Sequence, residues 1–332
     1  MKNILIKVFA AVLVLIGCVV AQCVNAEVLR EIKLHGANGQ VLNTYYASDV
    51  DYFEIGEREA PDYPFAEFTA DNKNNIVFHL TENVSFKMIK VQGGTYTLQS
   101  SNLTWPEAQK RKTLSDYYLA EFECTQGLWK AVKGTVPSGQ SATGDNYPVA
   151  RVSWDMIMGS ANDTFLKLLN AKMPQIKAHS SAEVVAALGN KEFRLPNEWE
   201  WEYAAAGGPA WNSLKYIYSG TSYNTPTALD AVAVNSVTYT ASSVAKVGSK
   251  QPNNLGLYDM TGNVWEWCSG LGYPGYETTP GYLSNNNTWD SSYRPDRGGS
   301  WFNNTASFLL VSYRHNVTGT YTYNINGFRL AL

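Results

Sequence analysis

Thiols and imidazoles are the side chains in this sequence that could hold a soft metal or form a cross-link. The four cysteines are Cys18, Cys23, Cys124 and Cys268, and no two of them form a Cys-x-x-Cys pair. The four histidines are scattered along the chain, so their spacing does not predict a zinc site. Cys124 and Cys268 either form one disulfide or stay as two buried thiols, and the second interpretation is favoured.

Residues 1–26 have the pattern of an export signal. Two early lysines precede an apolar run over 8–20 that is too short to span a bilayer. Residues 15–18 read Leu-Ile-Gly-Cys, as in a bacterial lipobox, which would make Cys18 a lipidated N-terminus. Residues 24–26 read Val-Asn-Ala and suit ordinary cleavage after Ala26. Both alternatives predict an exported protein, which is either a bacterial cell-surface or outer-membrane lipoprotein or a secreted protein.

The composition is aromatic and poor in charge. The chain of 332 residues has 26 Lys and Arg against 29 Asp and Glu, and aromatic residues make up 13% of it. A formal net charge of −3 gives no electrostatic reason to expect nucleic-acid binding. Such a composition also argues against disorder, which requires few aromatic residues and much charge.

The pattern along the chain predicts a leader and one large domain. Residues 27–83 show short alternating runs broken by turns, which are typical of a small β-rich leader, and residues 84–332 form the domain. Two segments in that domain have helical character, namely 160–172 and 197–206, and the second begins with a capping box of Asn197 and Glu200. Short strands and long loops are expected elsewhere, so the predicted fold class is α+β with few helices.

Seven segments in a fixed order resemble the formylglycine-generating-enzyme domain family, also called the sulfatase-modifying-factor family. They are 88–96, 121–126, 147–154, 193–205, 254–268, 297–301 and 327–330. The resemblance implies an irregular, loop-rich C-type-lectin-like fold over residues 84–332. The Trp and Tyr side chains within 198–203 and 258–267 are interpreted as core anchors, and Arg329 as a member of a buried ion pair.

The resemblance also implies chemistry that this sequence keeps only in part. The oxidase members of the family bind copper through two cysteines that follow a Gly-Gly-Ser motif, but no cysteine follows Cys268 here, so we expect no copper and no enzyme activity. The family's calcium pattern is present at Asp259, Gly262, Val264 and Glu266, which offer the oxygen ligands that calcium prefers. The alternative is that the two carboxylates cap turns or form ion pairs.

The 25 residues 302–326 use a restricted set of amino acids. They contain no Lys, Glu, Gln, Met or Trp, and every type that is present can be reached by altering the adenines of an AAC asparagine codon. This segment resembles the variable region of diversity-generating retroelement proteins of the treponemal variable type. The resemblance implies that the coding sequence of a C-terminal segment on a C-type-lectin scaffold is altered, which changes the ligand that the segment binds.

Tyr, Asn and Ser are also the residues that antibody paratopes favour, because they combine rigid contact area with adaptable hydrogen bonds. The candidate ligand-binding residues are Phe302, Asn303, Asn304, Phe308, Leu310, Tyr313, His315, Asn316, Tyr321, Tyr323 and Asn324. The expected function is non-catalytic binding of a protein or cell-surface ligand, with a membrane contact if Cys18 is acylated. A structural or accessory envelope lipoprotein is the alternative, and a copper oxidase is a distant third.

Overall fold

The computed structural model describes residues 31–35, 41–46, 62–72, 74–99, 104–238, 242–270, 282–283 and 289–332. The chain divides into two compact units, Met1–Ala60 and Pro61–Leu332. In the first unit, β1 (Glu31–His35) and β2 (Val41–Tyr46) pair as an antiparallel hairpin. The predicted export signal and Cys18 lie outside the described residues. None of the helices in the described part of the chain has the length and apolarity needed to span a bilayer.

A four-stranded antiparallel sheet begins the second unit. Its order is β3 (Phe65–Phe68), β4 (Ile76–Thr81), β5 (Val84–Val91) and β8 (Tyr117–Ala120), and a hairpin of β6 (Gly94–Thr97) and β7 (Arg111–Leu114) lies between β5 and β8 in the chain. Strand β3 pairs with β4, and β4 pairs with β5, so both belong to the second unit, which begins at Pro61, whereas the sequence predicted a leader over 27–83 and a domain over 84–332.

The second four-stranded sheet carries the C-terminal part of the chain. Its order is β13 (His315–Thr318), β12 (Tyr293–Arg297), β9 (Trp265–Trp267) and β14 (Asn326–Gly327), with β14 parallel to β9. A short hairpin of β10 (Tyr282–Leu283) and β11 (Trp289–Asp290) precedes β12. The last residues return to the first sheet, where the Tyr118 amide donates to the Leu332 carbonyl at 3.0 Å. The chain end is therefore fixed.

Short helices connect the sheets, and the sequence predicted too few of them. They are α1 (Glu107–Lys110), α2 (Gln126–Lys133), α3 (Trp154–Met158), α4 (Phe165–Asn170), α5 (Met173–Ala178), α6 (Ala182–Leu188), α7 (Glu198–Ala205), α8 (Trp211–Leu214) and α9 (Pro226–Val232), with 3₁₀ turns at Gly208–Ala210 and Ala306–Leu309. The helix predicted over 160–172 begins only at Phe165. Helices of about two turns or less are too short for an apolar period to show in the sequence.

The helix α7 has the start that the sequence predicted. The Asn197 side chain accepts from the Glu200 amide at 3.0 Å, and the Glu200 carboxylate accepts from the Asn197 amide at 3.0 Å. The helix ends before Gly207, whose φ of +106° suits glycine. All its residues are buried, so α7 lies at the centre of the unit rather than on its surface.

The Trp residues within 198–203 and 258–267 and Tyr203 are core anchors, as predicted, whereas Tyr258 is half-buried. Trp199, Trp201, Tyr203 and Trp267 are fully buried, and they divide between two large apolar clusters. Cys124 lies in the first cluster and Cys268 in the second, and both thiols are buried and free. The favoured interpretation of two buried thiols is therefore confirmed.

Three arginines from the C-terminal region each contact a buried glutamate. The Arg329 guanidinium donates to both oxygens of Glu266 at 2.6 Å, and Arg314 donates to both oxygens of Glu198 at 2.8 Å. Arg297 contacts Glu202, completing the set of pairs whose side chains have no exposed surface. The predicted buried pair of Arg329 is confirmed.

We expect Arg329→Met to lower the free energy of unfolding by about 3–5 kcal/mol, because it leaves the Glu266 carboxylate buried without its partner. Urea denaturation measures this loss. The matched control is Arg194→Met, which removes an equally bidentate contact to Glu200 at 2.6 and 2.7 Å whose arginine is 38% exposed. It should cost about 1 kcal/mol or less. Similar losses for the two variants would contradict the structural role given to Arg329.

Candidate ligand-binding face

Segment 302–326 lies between two fixed ends and is anchored in its middle. The Trp301 ring is buried, and its indole N–H donates to the Asn324 carbonyl at 3.3 Å. Leu309 and Val311 are buried in the apolar clusters, and Arg314 forms its pair with Glu198. These side chains serve the scaffold. We call the remaining outward side chains of 302–326 the C-terminal face.

Aromatic rings dominate the exposed part of the C-terminal face. Phe302 is 64% exposed and meets the Trp301 ring edge to face, with 5.5 Å between centroids. Tyr323 is 56% exposed and stacks on Tyr321 with 4.8 Å between centroids and an interplanar angle of 4°. A parallel pair of phenols held this way offers a contact surface that loses little conformational entropy on binding.

Several candidate residues have contacts within the protein instead. The Asn303 side-chain oxygen accepts from the Ser300 amide at 2.7 Å and from the Ser300 hydroxyl at 2.9 Å, so this amide closes a turn. Leu310 is half-buried beside Leu309. Phe308 packs edge to face on Tyr313 with 5.1 Å between centroids. The remaining asparagines are Asn304, which is exposed, and Asn316 and Asn324, which are half-buried.

His315 is the candidate residue with a buried charged partner. Its Nδ1 lies 2.6 Å from Oδ1 of Asp296, which is fully buried, and its ring lies over Trp265 with 4.8 Å between centroids. Burial by itself lowers the pKa of His315, but the hydrogen bond and the negative charge of Asp296 together raise it above its usual value. Sequence reasoning missed Asp296, since only the pairing of β12 with β13 places it opposite His315.

The calcium pattern lies in a buried network of carboxylates. Gly248 donates its amide to Asp259 at 2.7 Å, and burial raises the pKa of Asp259 to about 6. Both oxygens of Glu266 are held by Arg329, and one of them also accepts from the Trp201 indole at 2.7 Å. Burial is the main cause that raises the pKa of a third carboxyl, Glu123, well above its usual range, and the charges of Asp259 and Glu266 raise it further.

This arrangement does not fit a calcium ion. Calcium needs several oxygens that point to one centre, and both Glu266 oxygens already accept hydrogen bonds from protein donors. Within the described ranges, no group of three or more His, Cys, Asp and Glu side chains could hold a metal ion. These hydrogen bonds argue against the calcium binding that the resemblance implies for Asp259, Gly262, Val264 and Glu266, and a measurement of stability with calcium tests it.

Neither of the two buried thiols is in the form that binds a metal. Burial raises the pKa of Cys124 and of Cys268 well above the usual value for a thiol. A thiol must lose its proton before it binds a soft metal, so each is held in its unreactive form.

The two sheets, the short helices and the long loops define an α+β domain of C-type-lectin-like fold. The chain belongs to the sulfatase-modifying factor enzyme 1-like domain family, whose model matches residues 77–332. The predicted family and fold are therefore confirmed.

Three relatives show the range of proteins on this scaffold. The chaperone protein LppX of Paenibacillus barcinonensis is 32% identical over 69% of this chain and 83% of its own length. The formylglycine-generating enzyme of Streptomyces coelicolor is 34% identical, over 32% of this chain and 36% of the enzyme. The structure of Treponema denticola variable protein 1 is similar with a TM-score of 0.55 and 27% identity, over 75% of this chain and 96% of that one.

Calcium can be tested directly on stability. With Glu266 bound to Arg329, millimolar calcium or a chelator should leave the melting temperature of the purified protein unchanged, because a ligand that does not bind the native state cannot stabilise it. Differential scanning calorimetry measures this. A rise with calcium that is absent in Asp259→Asn would show that calcium displaces the arginine.

The outward aromatic residues should contribute little to stability. We expect Phe302→Ser and Tyr323→Ser to change the free energy of unfolding by about 1 kcal/mol or less, since both side chains already lie mostly in solvent. Leu309→Ser is the matched control in the same segment, and it should cost about 3 kcal/mol because it replaces a fully buried leucine. Equal losses measured in urea would contradict the division between face and scaffold.

Proposed function

We propose that this protein is a non-catalytic, surface-displayed binding protein and that segment 302–326 is its diversified binding face. One observation carries the proposal. Within one short segment, exposed rings such as Phe302 and Tyr323 alternate with buried anchors such as Leu309 and Arg314. The outward residues can therefore change without removing a core contact, which is what a changeable binding surface requires.

The chemistry of the face suits binding to a protein or another cell-surface ligand. Tyrosine supplies broad contact area with few rotatable bonds, and asparagine adapts its hydrogen bonds to different partners. The parallel Tyr321–Tyr323 pair and the exposed Phe302 supply the apolar part, and Asn304 supplies an exposed amide. Large exposed aromatic residues clustered in one segment are typical of interaction sites.

The relatives support diversification of the face. Treponema denticola variable protein 1 is variable by name, and its structure is similar to this one over 75% of this chain. The restricted alphabet of 302–326, all reachable by changes at adenines of one asparagine codon, agrees with the same process here.

The absence of cysteine after Cys268 supports a non-enzymatic role. The formylglycine-generating enzyme of Streptomyces coelicolor aligns with only 32% of this chain. The oxidase function therefore has little support, since the soft copper ion of that reaction needs thiolate ligands.

Display outside the cytoplasm follows from the export pattern of residues 1–26. Acylation of Cys18 would attach the protein to a membrane, and cleavage after Ala26 would release it. The second candidate function is an accessory envelope protein, which is favoured by the likeness to a chaperone-named relative over 69% of the chain.

Sequencing tests the proposed function. We expect a near-duplicate of the coding segment for 297–332 beside a reverse transcriptase gene, and differences among clonal isolates at adenine positions of codons 302–326. Codons 193–205, which include all of α7, are the control and should be constant in the same reads, because α7 is buried along its whole length. If the duplicate is missing and isolates never differ in 302–326, diversification is wrong and the accessory role gains support.

A further inference from the structure

We propose that His315 is the specificity-determining residue of the C-terminal face and that it selects a carboxylate on an acidic protein segment. This inference rests on the proposed function and names the ligand chemistry of the same face. The geometry that supports it is the fixed imidazole, its buried partner and the aromatic side chains around it.

The ring of His315 is held in one orientation with one tautomer. Oδ1 of Asp296 lies 2.6 Å from Nδ1, and because a carboxylate only accepts, Nδ1 carries the proton in this contact. The other oxygen of Asp296 accepts from the Asn326 side-chain amide at 2.9 Å, so the carboxylate is fixed from a second direction. The ring also lies against the buried Trp265 ring, at an interplanar angle of 32°, which limits how far it can turn. Nε2 is then the ring nitrogen left to meet a ligand, and the side chain is 42% exposed.

The charge around His315 favours a singly charged acceptor. A protonated ring beside Asp296 forms a pair with no net charge, so the site offers one charge-assisted donor rather than the several that the three acceptor oxygens of a phosphate would need. Arg314 is the nearest arginine in sequence, and its guanidinium is bound to Glu198 in the core. A carboxylate gains a charge-assisted hydrogen bond from Nε2–H at this site, and a neutral amide gains less.

The aromatic residues beside the ring suit a protein ligand. Tyr313 and His315 both lie against Trp265 in tilted contacts, and the Tyr321–Tyr323 pair lies in the same segment. These groups give the flat, amphipathic contact typical of paratopes, in which one polar contact sets the specificity.

Among the titratable groups near His315, His315 itself is the one whose charge changes near neutral pH. Burial raises the pKa of Tyr313 and of Tyr321, and the Asp296 charge adds to both shifts, so these phenols stay neutral at ordinary pH. Arg297 on β12 contacts the Tyr313 carbonyl and Glu202, both away from solvent. Because the pKa of His315 is raised, its positive charge is present at and somewhat above its usual pKa and is lost at higher pH. Carboxylate affinity should fall over the same range.

The test measures binding of two short probes by NMR on the full-length protein. Each probe is a blocked five-residue peptide that is identical except for a central Glu or Gln. We expect the Glu peptide to bind about three- to fivefold more tightly at pH about 6 than at pH about 9, and the Gln peptide to bind alike at both. Shifts should occur at His315, Tyr321 and Tyr323.

Three variants separate specificity from structure. His315→Gln keeps a donor near Nε2 without a charge, so it should abolish the pH effect and leave the fold intact at this half-exposed position. Asp296→Asn should lower the pH at which the His315 ring titrates. The matched control is His79→Gln, which removes a histidine that lies 3.1 Å from the Glu67 carboxylate on another sheet and should change nothing.

The outcomes distinguish this inference from the proposed function. If both peptides shift Tyr321 and Tyr323 equally, or if the pH effect survives in His315→Gln, the carboxylate assignment is wrong and the binding face stands. Absence of shifts from both peptides at millimolar concentration also overturns it. Selective binding of a uronic-acid oligosaccharide would overturn the protein partner. The diversification of 302–326 is decided by sequencing alone, so its failure leaves the His315 measurement unaffected.

Discussion

The contact on which this structure depends is the buried pair of Arg329 and Glu266. Besides the two oxygens of Glu266, the Arg329 guanidinium donates to the Ala120 carbonyl at 3.0 Å and the Tyr258 carbonyl at 2.8 Å. Glu266 also accepts from the Trp201 indole on α7. One guanidinium thus ties the chain end to β8, to β9 and, through Glu266, to the central helix. Removing any member of this network should lower the stability of the fold, because each buried polar group that loses its partner then carries its full desolvation penalty.

This network is compatible with the diversification that we propose for segment 302–326. Arg297, just before the segment, is bound to Glu202 on α7, and Arg329, just after it, is bound to Glu266. Arg314, in the middle, forms the third buried pair, which is the second one to α7. The chain between these arginines is held at three places by charge pairs whose energy does not depend on the outward side chains. Stability and surface chemistry are therefore separated along the chain, although the anchors Leu309 and Val311 limit which positions can change.

The sequence predicted the parts of the structure that depend on local chemistry. The capping box of α7 and the buried aromatic residues were predictable because the spacing itself carries the signal. The short helices were not, since a helix such as α3 is fixed by packing rather than by its own period. Asn303 was expected on the binding face, but its side chain closes a turn on Ser300. Composition showed that 302–326 uses a restricted set of residue types, but only the burial of each side chain in the fold shows which of them point outward.

The pairing of β12 with β13 also places a constraint on position 315 that composition alone does not reveal. Asp296 lies outside segment 302–326 and is fully buried, so its carboxylate needs a donor from whichever residue stands opposite. Histidine and asparagine can donate to it, whereas phenylalanine or valine would leave one carboxylate oxygen without that bond, at a cost of about 1–3 kcal/mol. Outward positions such as Phe302 and Tyr323 have no such requirement. If the face varies as we propose, many residue types should occur at the exposed rings, but position 315 should be limited to residues that can donate to Asp296.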